Sequence, residues 1–139
     1  MNLGTDIKIT KVAASGAAGT EVLTGAIDMS GYDGVLIFTT IATVNAGNFL
    51  KGTQCDTSGG NYADLEGSAV VGLVNADVIA LDIYKPRERY IKGSVIRAGA
   101  STALGEIYIL QYKGTKRPED NNTSPYVITL VQSPAEGTA

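Results

Sequence analysis

The sequence predicts an all-β fold, an antiparallel β-sandwich of jelly-roll-like type, and three observations carry that prediction. Short β-branched and aromatic segments alternate apolar with polar residues, as in IKITKV at 7–12 and DVIALDIY at 77–84. Turn-forming runs of Gly, Asn, Asp and Ser separate them, DTSGGN at 56–61 being the plainest. No stretch carries the apolar period of a long amphipathic helix.

Taken in order, 7–12 reads as a half-buried strand, and AASGAAG after it as a flexible turn. A second short strand begins at 21–23 and continues through 24–28. The segment GVLIFTTIAT at 34–43 has few charges and many β-branched residues, as a central strand covered on at least one face would. Residues 48–55 then read as its antiparallel return. For 62–73 two readings are open, a short helix through Tyr62, Leu65 and Glu66 or a strand-loop-strand excursion, which the two glycines favour. Residues 77–84 form a strand that Lys85-Pro86 ends, because proline lacks the ladder donor. Residues 90–97 and 104–112 read as the two arms of a hairpin joined by AGASTA. After the charged, turn-rich TKRPEDNNTSP comes one more β-prone segment, YVITLV at 126–131. The expected organisation is a β-sandwich domain over 1–118 and a C-terminal extension over 119–139. The strand-like segment of that extension could pair at a sheet edge, swap onto a neighbouring subunit in an intersubunit contact, or lie against a partner.

The 139 residues suffice to close one core between two sheets, and they predict no second domain. Charged residues make up only 18% and the formal net charge is −3, a balance that gives no support to a nucleic-acid surface and points to protein partners. The opening residues lack a signal peptide's apolar run, and no segment approaches the roughly 20 apolar residues needed to cross a bilayer. Synthesis in the cytoplasm and no membrane partner are therefore expected.

Chemistry is excluded more firmly than it is suggested. With 0 histidines the commonest general base and transition-metal ligand is missing, so nothing activates the many Ser and Thr hydroxyls or the single Cys55. Cys55 cannot form an intrachain disulfide and is expected as a free or buried thiol. The carboxylates are scattered, match no EF-hand spacing, and read as turn and solvent groups, with a chance cation near Asp56 or Asp64 as the alternative. The chain is thus expected to be no enzyme and to hold no cofactor.

Two features invite a binding role. The run Lys85, Arg87, Arg89, Lys92, followed by Arg97, is the densest basic cluster, yet strand parity sets Lys92 on the face opposite Arg89 and Arg97. Local ion pairs, an intersubunit contact through Arg–carboxylate pairing, and a nucleic-acid surface are its three readings. Tyrosines 84, 90, 108, 112 and 126 could form a stacking or sugar-binding platform, against the plainer reading of sheet-face packing.

Three pieces together, SGYDGVLIFTTI at 30–41, YKPRERYIKGSVIR at 84–97 and YKGTKRP at 112–118, resemble a family of small structural proteins of tailed bacteriophages. The matching positions are Gly31, Tyr32 and Asp33, then Arg89, Tyr90, Ile91 and Lys92, and finally Lys116, Arg117 and Pro118. The resemblance implies a non-enzymatic virion protein on the capsid surface. It would be a cement or decoration protein that binds the major capsid protein and copies of itself as a homotrimer. A head-tail connector or tail component, and a carbohydrate-binding β-sandwich of a receptor-binding structure, are the alternatives. The residues expected at protein contacts are Arg87, Arg89, Lys92, Arg117, Tyr126, Ile128 and Leu130.

Overall fold

A computed structural model of the chain describes residues 2–115, 121, 124–129 and 136. A short helix, α1 (Leu3–Asp6), opens the chain and is capped by the Asn2 side chain, which accepts from the Gly4 amide. Eleven strands follow: β1 (Lys8–Val12), β2 (Ser15–Ala18), β3 (Val22–Leu23), β4 (Ile27–Asp28), β5 (Gly34–Thr40), β6 (Asn48–Cys55), β7 (Ala63–Asp64), β8 (Val78–Tyr84), β9 (Tyr90–Arg97), β10 (Thr102–Leu104) and β11 (Ile107–Tyr112). The expectation of an all-β sandwich holds.

One sheet runs β1-β11-β5-β8; the other runs β3-β9-β6-β7 with β4 also on β9, and β10 pairs β2 as a small ribbon. All these pairings are antiparallel. Strand alternation makes the core: Val35 and Ile37 of β5, Ile79, Leu81 and Ile83 of β8, and Ile107 and Ile109 of β11 point inward from the first sheet. Leu50 of β6 and Ile91 and Val95 of β9 meet them from the second. Each such side chain contributes about 1.5–3 kcal/mol of burial. Gly52 and Gly93 stand opposite each other in the β6–β9 ladder. A β-carbon on Gly52 would lie 2.8 Å from Ile83 Cδ1, and one on Gly93 would lie 3.1 Å from Ile37 Cδ1. This bare patch lets the first sheet's long side chains reach the second sheet's backbone.

The pairing corrects two expectations. Residues 90–97 form β9, but 104–112 divide between the end of β10 and β11, and the two arms are not a hairpin, since β9 and β11 belong to opposite sheets. Both edges of β11 are taken by β1 and β5, so the chain crosses over through β10 instead. Likewise β6 is not the return of β5, whose edges are filled by β11 and β8. The supposed turn at 13–19 contains β2, and 62–66 holds the two-residue β7 rather than a helix turn. The late apolar segment has no strand over its described residues, 126–129.

Polar groups close one end of the sandwich. Arg97, 3% exposed, donates from Nη1 to the carbonyls of Gly16 (2.8 Å) and Thr102 (2.9 Å) and from Nε to that of Thr20 (2.6 Å). Its cross-strand neighbour Asn48 accepts from the amides of Gly99 and Ala100 and donates to the carbonyls of Thr43 and Ala100. Arg97 Nη2 also donates to the Thr20 hydroxyl, so both side chains are spent on β2, β10 and the connections beside them.

Candidate functional site

The opposite end carries the chemistry. On the outer face of the first sheet, register sets Tyr112, Gly34 and Tyr84 in one cross-strand row and Leu110, Leu36 and Asp82 in the next. A third row holds Tyr108, Phe38 and Ala80. A β-carbon at position 34 would run into the Tyr112 ring, so glycine there lets the ring lie across β5. Its hydroxyl donates to Asp82 Oδ1 at 2.5 Å. Burial, reinforced by that hydrogen bond, pushes the Tyr112 phenol well above the usual tyrosine range.

The rings of Tyr84 and Tyr112 are parallel to within 1°, with centroids 6.5 Å apart. Tyr84 is 51% exposed. Phe38 and Tyr108 form a second pair at 5.5 Å, with the Tyr108 hydroxyl donating to Glu106. Two lysines flank Tyr84: Lys113 Nζ lies 4.8 Å from its ring centroid and 3.4 Å from its hydroxyl, and Lys85 Nζ lies 5.6 Å from the centroid. Both have left-handed backbones, with φ of 51° for Lys85 and 52° for Lys113. A side chain in that conformation costs about 1–2 kcal/mol.

Beside Tyr84 runs a groove of about 500 Å³, lined among others by Gln54, Glu66, Asp82, Tyr84, Lys85 and Arg87. A neighbouring depression of about 380 Å³ reaches Met29, Tyr32, Arg87 and Arg89. On the outer face of the second sheet a third, about 360 Å³, is bordered by Glu21, Lys51, Tyr62, Asp64 and Lys92. Among the described residues no cluster of three metal-ligating side chains occurs.

The residues singled out in the sequence do not form one patch. Arg87 and Arg89 are exposed around the second depression, where Arg89 pairs with Asp28. Lys92 lies on the outer face of the second sheet with Nζ 4.0 Å over the Tyr62 ring. Arg97, grouped with them by sequence, is buried at the far end. Tyr126 is half-buried near Lys11 and Tyr108, and Ile128 lies against Gly4 of α1. Arg117 and Leu130 lie outside the described residues. Cys55 is a free, buried thiol.

Sequence reasoning named Tyr84, Tyr108 and Tyr112 as a possible platform but not Gly34, Asp82 or Lys113. The parity of 108, 110 and 112 was visible. What could not be seen was the cross-strand register that puts a bare glycine between two tyrosines.

No protein-family model and no curated protein matches the chain. Among solved structures the chain is similar to the CBM22-1–GH10 modules of the N-terminal part of Clostridium thermocellum endo-1,4-β-D-xylanase 10B, crystallised with xylohexaose. The TM-score is 0.43 at 12% identity, over 81% of this chain and 27% of that one. The phage resemblance is therefore corrected, together with the cement or decoration role drawn from it: no family model and no curated protein matches the chain, and the solved structure it is similar to is that of a bacterial xylanase. Its motifs have local structural explanations. Gly31 adopts φ +86° and the Tyr32 amide closes a turn on the Met29 carbonyl, while Arg89 grips Asp28 across β4 and β9.

Proposed function

We propose that this chain is a non-catalytic β-sandwich module that binds carbohydrate on the Tyr84–Tyr112 row. The parallel alignment of these two rings, with Tyr84 on the wall of an open groove, is the observation that carries the reading. A pyranose ring presents a face of weakly positive C–H groups, which settles on the negative face of an aromatic ring. Fixed ring orientation spares the entropy of ordering two side chains on binding. Here the fixing is local: Tyr112 is tied to Asp82 and rests across Gly34, and Lys113 bonds the Tyr84 hydroxyl. Hydrogen-bonding groups stand at the rim, with Asp82 and Glu66 as acceptors and Lys85 and Arg87 as donors.

The test is oligosaccharide binding to the intact chain, followed by Tyr84→Ala. Tyr84 is exposed at the end of β8, so the variant is expected to keep the fold, as read by circular dichroism, and to lose at least about tenfold in affinity, the equivalent of one stacking contact. Unchanged affinity in a folded Tyr84→Ala protein, or no binding across a broad glycan panel, would remove the proposal.

A further inference from the structure

We infer that the sugar taken by the Tyr84–Tyr112 row is acidic, carrying a carboxylate or a sulfate that faces Lys85 and Lys113. This rests on the reading of that row as a carbohydrate platform and goes beyond it by naming the ligand's charge. The chain is acidic overall, at −3, yet the groups crowding Tyr84 are cations. Three ion pairs occur among the described residues, Lys11–Glu106, Lys51–Asp64 and Arg89–Asp28, and none uses Lys85, Lys113 or Arg87. Of the groove's carboxylates, Asp82 is engaged by the Tyr112 hydroxyl and Asp64 by Lys51. That leaves Glu66 in the groove, with Asp33 and Glu88 in the neighbouring depression, to oppose the cations.

The backbone adds an independent observation. Lys85 and Lys113 end the strands on either side of β5, and both occupy the left-handed region that glycine or asparagine would adopt at lower cost. Ala76 is the third non-glycine residue with positive φ among the described residues, and it lies beyond the other end of β5, its amide on the Ile41 carbonyl. Strain of this sort persists where the side chain it presents is used. What the two strained positions present is an ammonium group beside the same tyrosine, each with donors to spare for an anion.

The experiment measures calorimetric binding of the whole chain to matched oligosaccharides: uronate-bearing, the same sugars carboxyl-reduced, and the reduced sugars sulfated. At least one anionic form is expected to bind about tenfold tighter than its neutral counterpart, with a preference that shrinks as salt is raised. Whether carboxylate or sulfate is favoured identifies the acid. Lys85→Asn with Lys113→Asn, chosen because asparagine tolerates the left-handed backbone, should weaken anionic binding about tenfold more than neutral binding and so abolish that preference. Glu66→Gln should strengthen the anionic form. Tyr84-dependent binding with neutral sugars bound as tightly as acidic ones, or a preference that survives the double substitution, overturns the inference and leaves the platform standing. Absence of binding to every member removes the platform and the inference together.

Discussion

Asp28 and Arg89 meet in a two-pronged ion pair, Arg89 Nε donating to Oδ1 at 2.9 Å and Nη2 to Oδ2 at 2.8 Å. The pair fastens β4 to the start of β9, where the ladder has only two residue pairs to hold it. The Arg89 hydrogen bond, helped by the Ser30 amide, draws the Asp28 carboxyl down to about 2 from 3.8. A carboxyl held lower in the folded than in the unfolded chain stabilises above the unfolded value, and that contribution is lost as pH falls toward about 2. Arg89→Gln is therefore expected to unfold at a slightly lower temperature than the parent at neutral pH. The two melting curves should converge on acidification or at high salt, because both groups are solvent-exposed. A gap that persists at low pH would assign Arg89 a role other than this pair.

Gly52→Ala tests how closely the sheets approach. The added methyl would stand 2.8 Å from Ile83 Cδ1, 3.1 Å from Leu81 Cδ2 and 3.2 Å from Leu65 Cδ1, three side chains packed in or against the core. Overpacking of this kind costs about 1–3 kcal/mol, to be read as a lower urea midpoint at unchanged slope. Gly16→Ala is the control, since a β-carbon there meets nothing within 4 Å.

Tyr112→Phe separates the neutral and alkaline behaviour of the platform. At neutral pH the variant loses the hydrogen bond to Asp82, worth about 1 kcal/mol. The folded chain holds the Tyr112 proton at pH values where an unfolded tyrosine, at 10.0, has released it. Stability must therefore fall as pH rises above 10.0, and the phenylalanine variant is spared that part of the fall. Chemical denaturation across the alkaline range should show the difference between parent and variant narrowing. A constant difference would mean that Tyr112 is not buried in its neutral form.

The strands were legible in the sequence because alternation survives without knowledge of partners: 48–55 coincides with Asn48–Cys55, and 90–97 with Tyr90–Arg97. Pairing was not, because AGASTA looks like a hairpin loop, whereas Thr102 and Leu104 within and beside it form a ribbon with β2. Small residues hid β2 itself, since Ser-Gly-Ala-Ala offers no apolar alternation to read. At the candidate site the tyrosines were conspicuous and their supports were not. Gly34 matters through a residue 78 positions away, and Lys85 and Lys113 through a backbone conformation that nothing in a lysine announces.

The closure around Arg97 and Asn48 gives the sandwich two unlike poles. At one, the β2–β10 ribbon and the connections at 20, 43 and 99–100 are held by buried side chains that bond their carbonyls and amides, so their course is dictated from inside. At the other, the exposed loops at 56–59 and 87–89 lie outside the core. A graft or a permuted terminus belongs at 56–59 and not at 87–89, where Arg89 holds Asp28; new sequence at 56–59 would alter what the surface meets and leave the bonds of Arg97 and Asn48 untouched.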